Sequence, residues 1–263
     1  LHLMILPCVI VVLIFSYLPM IGTYIAFQDF NPAFGFFKPQ KWVGLDNFKY
    51  IINIPGSFKI LWNTIYISFF KIVGMIIVPV TFALLLNEIG NRAVKRIAQS
   101  LIYLPHFLSW VILSGILLDV LSPSEGVVNK FLGSLGIEPI FFLGDKVWFP
   151  ITMIITDIWR NFGFGTVVYL AALTSIDPTL YESAIVDGAG RMQQTIHITL
   201  PGIMPIIILM TVISLGGILN AGFDQIYNMY SPQVYETGDI IDTFVYRLGM
   251  EQAQYSAATA VGL

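Results

Sequence analysis

Long stretches without a charged side chain recur along this chain and dictate most of what it can fold into. Leu3 to Phe27, Leu101 to Leu118 and Leu200 to Phe223 carry no charge, Ile60 to Leu86 carries only Lys71, and Trp148 to Ile176 carries only Asp157 and Arg160. About 20 mainly apolar residues cross the hydrocarbon core as a helix, and helix is the form in which one segment satisfies its own backbone hydrogen bonds away from water. Charged residues make up 11% of the 263 positions against about a quarter in soluble domains, so these runs are membrane spans and not core helices. The expectation is an all-α, polytopic membrane protein with five spans. A sixth helix opens at about Gln252 with small apolar residues and is cut short at Leu263. Nothing divides the chain, so residues 1–263 are expected to form one transmembrane domain with its core at about 58–263.

A cleaved leader is the competing reading of residues 1–27, but an apolar run of this length exceeds the roughly 7 to 15 residues of such a leader. A further N-terminal tail is expected before this first span. Cys8 lies within it and is the sole cysteine, which excludes an internal disulfide. A net charge of −3 offers no basic footprint for nucleic acid. Between the spans, 28–59 is expected to hold a short interfacial helix near Val43–Phe48, 87–99 a short basic loop, 119–147 an irregular Gly- and Pro-rich loop, and 224–251 a last loop. Trp42, Trp62 and Trp148 are placed as interface anchors.

The polar island Asp177 to Thr199 is the most informative segment. Asp177-Pro178 reads as an N-cap followed by proline at the first helical position. The helix is expected to reach Asp187, with Tyr181, Ala184, Ile185 and Gly188 along one face and Gly188 ending it. A second short helix through Arg191 and Gln194 would reach His197, with Leu200-Pro201 opening the next span. Inside the membrane, Asp157 and Arg160 lie three apart and are expected to pair. With Trp159 and Asn161 they are candidates to line a path for a hydroxylated ligand, as are Asn220, Asp224 and Gln225 at the end of the following run and Trp110 deeper in the third. A structural ion pair and ordinary packing are the alternatives. His106 and His197 have no partner ligands at metal-binding spacing and read as structural.

Glu182, Ser183 and Ala184, then Asp187-Gly188, Arg191 and Ile198-x-Leu200-Pro201, resemble the cytoplasmic coupling-loop motif of bacterial ABC importer permeases, with Ser183 where the motif has Ala. Ala26 to Pro32, Asn63-Thr64, Tyr103 to Trp110, Ile176-Asp177-Pro178 and Gly222 to Ile226 are similar to the carbohydrate-uptake (polysaccharide or multiple-sugar) branch of those permeases, and the resemblance extends over nearly the whole chain. It implies a six-helix subunit of the bacterial plasma membrane working with a second permease, two ATP-binding subunits and an extracytoplasmic substrate-binding protein. It also implies that Glu182 and Gly188 seat the coupling helix in a groove of the ATPase. The motif places 177–199 and 87–99 on the cytoplasmic side, against a simple count of Lys and Arg in the loops; long loops follow that rule poorly.

The sequence contains no G-x-x-x-x-G-K-[ST] phosphate loop, H-E-x-x-H pair or nucleophile elbow, so no catalytic residue is assigned. ATP and Mg are expected on the partner subunits, no cofactor or metal on this chain. Import of an oligosaccharide or polysaccharide fragment is the first reading. A permease for peptides or another polar solute, and a stand-alone secondary transporter, are the alternatives.

Overall fold

A computed structural model describes residues 2–35 and 38–263, with side chains from Met4 onward. The chain up to Trp62 together with Asp239–Leu263 forms one compact unit, and Asn63–Gly238 forms a second.

In the first unit, Met4–Phe27 is one 24-residue apolar helical run with its side chains exposed from Met4 to Met20. It tightens into 3-10 turns over Ile21–Phe27, where Ile25 and Ala26 become buried. The segment after it departs from the expected loop: Gln28–Asp29 pairs antiparallel with Lys41–Trp42. Asn47 locks this hairpin by donating to the carbonyls of Ala26 and Gln28 at 2.8 and 3.0 Å. Trp42 stacks on Phe27 with ring centroids 5.7 Å apart. Where a short helix is expected near Val43–Phe48, a helix runs from Asp46 to Asn53. The small residues after Gln252 form the helix Tyr255–Gly262, which buries Ala257, Ala258 and Ala260. Phe30 N donates to Ser256 Oγ at 3.0 Å. Phe244, Leu248 and Ala258 form a core with Ile54 and Ile60, and Arg247 pairs with Asp239.

The second unit takes in most of the helix Ser57–Glu88, 32 residues long, and the helices that follow it as far as Gly238. The third expected span is not a straight helix. Helices Arg92–Phe107 and Trp110–Val120 meet at 101°. Pro105 supplies no backbone donor there, and Ser109 Oγ accepts from Ile112 N at 3.3 Å to cap the second arm. The fourth, Trp148–Leu173, is a continuous 26-residue helix, but Asp157, Arg160 and Asn161 dilute its apolarity. Three described helices are long and apolar enough to cross a membrane, or four with the bent pair taken as one span. The fifth begins earlier and ends earlier than its charge-free run: the helix is Arg191–Leu215, and a turn at Gly216–Gly217 precedes a separate helix, Phe223–Met229. Within 119–147, Val127–Ser134 is helical. Buried Asn129 pins that loop by donating to the carbonyls of Ser122 and Ile140 at 3.0 and 2.9 Å and accepting from Ile140 N at 2.8 Å.

The helices pack most closely where side chains are absent. A Cβ on Gly163 would lie 2.0 Å from the carbonyl oxygen of Ile102, so Trp148–Leu173 and the helix ending at Tyr103 touch backbone to backbone. Toward the polar island, Val80, Ala83, Tyr169, Leu173 and Ile203 form a core shared by three helices.

Candidate functional site

The polar island folds as a capped helix followed directly by the next long helix. Asp177 Oδ1 accepts from Thr179 N at 2.9 Å and Pro178 occupies the first turn. This hydrogen bond favours the charged carboxylate and holds Asp177 below the usual Asp range. The helix Pro178–Val186 ends where Gly188 turns through φ +78°. Ala189 N donates to Ala184 O at 2.8 Å and Gly188 N to Ile185 O at 3.1 Å, the paired bonds of a Schellman ending. The expected second short helix is not separate. Arg191–Gln194 runs through a wide turn, Thr195–Thr199, into the helix of the fifth span. That wide turn accommodates Pro201, which has no N–H to give to the preceding turn.

This bent segment is tied to two helices. Tyr181 Oη lies 3.0 Å from Thr199 Oγ1, and Arg191 Nη1 donates to Glu88 Oε2, at the end of Ser57–Glu88, at 3.1 Å. A cleft of about 440 Å³ lies among Thr81, Asn87, Glu88, Tyr181, Arg191 and Gln194. Tyr181 therefore turns toward its own bundle, whereas Ile185 on the same helix is 64% exposed. Glu182, Ser183, Asp187, Gly188 and Pro201 are exposed as well, while Ala184 and Leu200 are half-buried. Leu180, Val186 and Met192 add apolar area to the outer face.

Within the bundle the predicted Asp157–Arg160 pair does not form. Asp157 Oδ1 lies 3.7 Å from Lys71 Nζ and accepts from Asn161 Nδ2 at 3.3 Å. Arg160 points the other way. Its Nε and Nη2 donate to Leu108 O at 3.1 and 2.9 Å, and its guanidinium lies 4.9 Å from the Trp110 ring centre. That carbonyl is at the bend of the third span, where helical partners are missing, so the arginine closes the backbone gap. His106 Nδ1 lies 3.0 Å from Asn161 Oδ1, and its ring stacks on Phe164 at 4.5 Å.

The candidate lining residues divide in the same way. Trp159, Asn220 and Asp224 are exposed. Gln225 is wholly buried, its amide donating to Met153 O and Thr156 Oγ1 at 2.8 Å each, so within this chain it joins two helices. A cavity of about 300 Å³ is lined by Ser68, Lys71, Asp157, Ser214, Asn220 and Gly222. Lys71 is the site residue that sequence reasoning misses. Its one signal in sequence is being the sole charge of an otherwise apolar run, and such residues usually face a bundle interior or a wet path. Among the described residues no group of three or more His, Cys, Asp or Glu is placed to hold a metal.

Comparison with known proteins gives this geometry its setting. Residues 72–223 match the family described as binding-protein-dependent transport system inner membrane component. Protein LplB of Bacillus subtilis (strain 168) is 43% identical over 100% of this chain and 82% of its own length. The polygalacturonan/rhamnogalacturonan transport system permease protein YteP of the same strain is 41% identical with the same coverage. A chain in the crystal structure of a bacterial ABC transporter involved in the import of the acidic polysaccharide alginate superposes with a TM-score of 0.90 at 42% identity, over 99% of this chain and 87% of that one. The protein thus belongs to the binding-protein-dependent transport system inner membrane components: it is a multi-pass permease of the inner membrane and not an enzyme.

Proposed function

We propose that this permease carries an oligosaccharide or polysaccharide fragment into the cell as one half of the membrane pore of an ABC importer. A second permease supplies the other half, two subunits bind ATP and Mg on the cytoplasmic side, and an extracytoplasmic binding protein delivers the substrate. The observation that carries this is the bent 177–199 segment, rigid at both ends and bare on its outer face. Its cap and Schellman ending make it a stiff body. Its tie from Arg191 to Glu88 and its unbroken run through Thr199, held by Tyr181, into the helix ending at Leu215 would pass a push into two long helices, while Glu182, Ile185, Val186 and Met192 remain exposed for a partner. Glu182, Ser183, Ala184, Asp187, Gly188 and Arg191, with Leu200-Pro201 behind them, are assigned to that coupling. Asp157, Asn161, Trp159, Asn220 and Asp224 are assigned to the solute path, with Arg160 and Trp110 at its bend. The saccharide assignment is supported by YteP and by the alginate importer.

ATP-driven closure of the partner subunits would move 177–199 as a lever and shift the helices around the 300 Å³ cavity. Labelled oligosaccharides and peptides offered to cells carrying the whole complex test the cargo; uptake of peptides alone would overturn the saccharide reading. For the lever, Gly188→Asp should insert normally yet abolish uptake. It places a side chain at φ +78°, strained for an L-residue, and adds charge to the docking turn. Full substrate-stimulated ATP hydrolysis in that variant would refute it.

A further inference from the structure

The chain of the fifth span leaves its helix at Gly216–Gly217 and re-enters one at Phe223, with Gly222 at φ +93°. Backbone groups released by such a break at membrane depth must find partners within the protein. Ala221 is 1% exposed, and its carbonyl accepts from Lys71 Nζ at 2.7 Å. The same ammonium donates to Gln225 Oε1 in the first turn of the following helix. Gln225 is in turn fixed through its amide nitrogen to Met153 O and Thr156 Oγ1. One cation therefore grips both sides of the break, by a main-chain carbonyl before Gly222 and a side chain after it. The approach is close, since a Cβ on Gly222 would lie 3.2 Å from Lys71 Nζ. The cavity opens on these atoms, with Asn220 and Gly222 in its wall beside Lys71 and Asp157. Ser68, one turn from Lys71, lines it too; it is 2% exposed, and its Oγ has no hydrogen-bond partner among the described residues.

We propose that Lys71 is a positioning residue for transport. Its ammonium is the post that holds the Ala221–Gln225 break and so presents Asn220 and Gly222 to the cavity, while Asp157 serves to balance that charge within the membrane. This rests on the permease reading above, and it separates two roles that an ion pair alone would merge. If balancing Asp157 were the lysine's whole task, removing both charges would restore everything. If the ammonium is the post, removing both charges restores assembly and leaves the break loose.

The test uses the assembled complex: labelling by a small maleimide is followed in a Cys8→Ser background with Asn220→Cys as the reporter, and uptake as a function of substrate concentration is measured separately with Asn220 intact. Lys71→Met should assemble poorly because Asp157 is left unpaired, and Lys71→Met with Asp157→Asn should assemble at near the parent level. The double variant should nonetheless show a labelling rate altered about fivefold or more and a half-saturating concentration raised about tenfold, the scale of one lost charge-assisted hydrogen bond. Lys71→Arg, which keeps charge and donors, should bring both to within about twofold of the parent, a margin below one ordinary hydrogen bond. Parental labelling and half-saturation in the double variant would overturn the proposal. If the double variant does not assemble, Lys71→Gln with Asp157→Asn decides, because it retains an N–H donor: parental labelling supports the post, and failure to assemble there too reduces Lys71 to a folding requirement and overturns it. Absence of saccharide uptake by the complex with Asn220 intact would defeat the functional reading alone, since the labelling comparison still judges Lys71.

Discussion

Asp177 shows how one side chain sets the stiffness of the segment proposed to receive the motor's push. Its carboxylate accepts the Thr179 backbone N–H, which holds its folded-state pKa below the ordinary Asp value. A group depressed in this way adds stability above its unfolded pKa and loses it as pH falls through the lowered folded value. Amide protection across 178–186 should therefore be full near neutral pH and decline in acid. Asp177→Asn keeps an acceptor oxygen and should flatten that decline while preserving most protection, whereas Asp177→Ala should lower protection at every pH. A native segment with protection unchanged into strong acid would contradict the cap's role. Arg160 follows a related logic: placed three residues from an aspartate, it is spent on the Leu108 carbonyl instead, because an unsatisfied backbone acceptor at a helix bend costs more to leave than an ion pair costs to forgo.

Among the elements, the contact between Arg92–Tyr103 and Trp148–Leu173 depends on a missing side chain. Gly163 faces the Ile102 carbonyl with no room for a methyl, its Cβ falling 2.0 Å from the oxygen and 2.5 Å from the carbon. Backbone cannot yield as a side chain can, so Gly163→Ala should cost about 1–3 kcal/mol and lower the melting temperature of the purified complex. Gly165 on the same helix is the control. Its nearest neighbours are side-chain atoms of Pro79 and Met75 at 3.2 Å and beyond, and Gly165→Ala should melt close to the parent, because those side chains need give only slightly and Ala is the better helix former by about 1 kcal/mol. Equal losses at the two positions would mean that the Ile102 contact does not govern the result, since helix propensity alone favours Ala at both by about 1 kcal/mol. The Glu88–Arg191 pair belongs at this scale too. Both side chains are more than half exposed, so its stabilising contribution is at most about 1 kcal/mol and its value lies in direction, linking the end of one span to the start of another.

For the molecule as a whole, the decisive surface is the apolar one. Met4 to Met20 is exposed on every side, an arrangement unstable in water at about 25 cal/mol per Å² of apolar area and natural in lipid. Cys8 is exposed within that run. In membranes it should react readily with a lipid-soluble maleimide and scarcely with a charged, impermeant one. Rapid reaction with the charged reagent would remove residues 4–27 from the membrane spans. The two compact units differ in content: the first gathers the hairpin and the helix Tyr255–Gly262, and the second holds the 177–199 segment and the Lys71 cavity.

Whatever depends on neighbours along the chain is legible in the residues alone. Runs of about twenty apolar residues specify the helices, Asp177-Pro178 and Gly188 set the limits of the helix Pro178–Val186, and the spacing from Glu182 to Pro201 points to the permease family, because length, caps and left-handed turns are local properties. The bend at Pro105 and the break after Gly216 have proline and glycine as hints, but whether such residues end a helix depends on what receives the freed carbonyls. The pairing of Asp157 with Lys71, the burial of Gln225, the turn of Arg160 toward Leu108 and the Gln28–Trp42 hairpin belong to tertiary structure. Each joins residues whose distance is set by helix packing, and in a low-dielectric interior the partner that completes the most hydrogen bonds wins over the partner nearest in sequence.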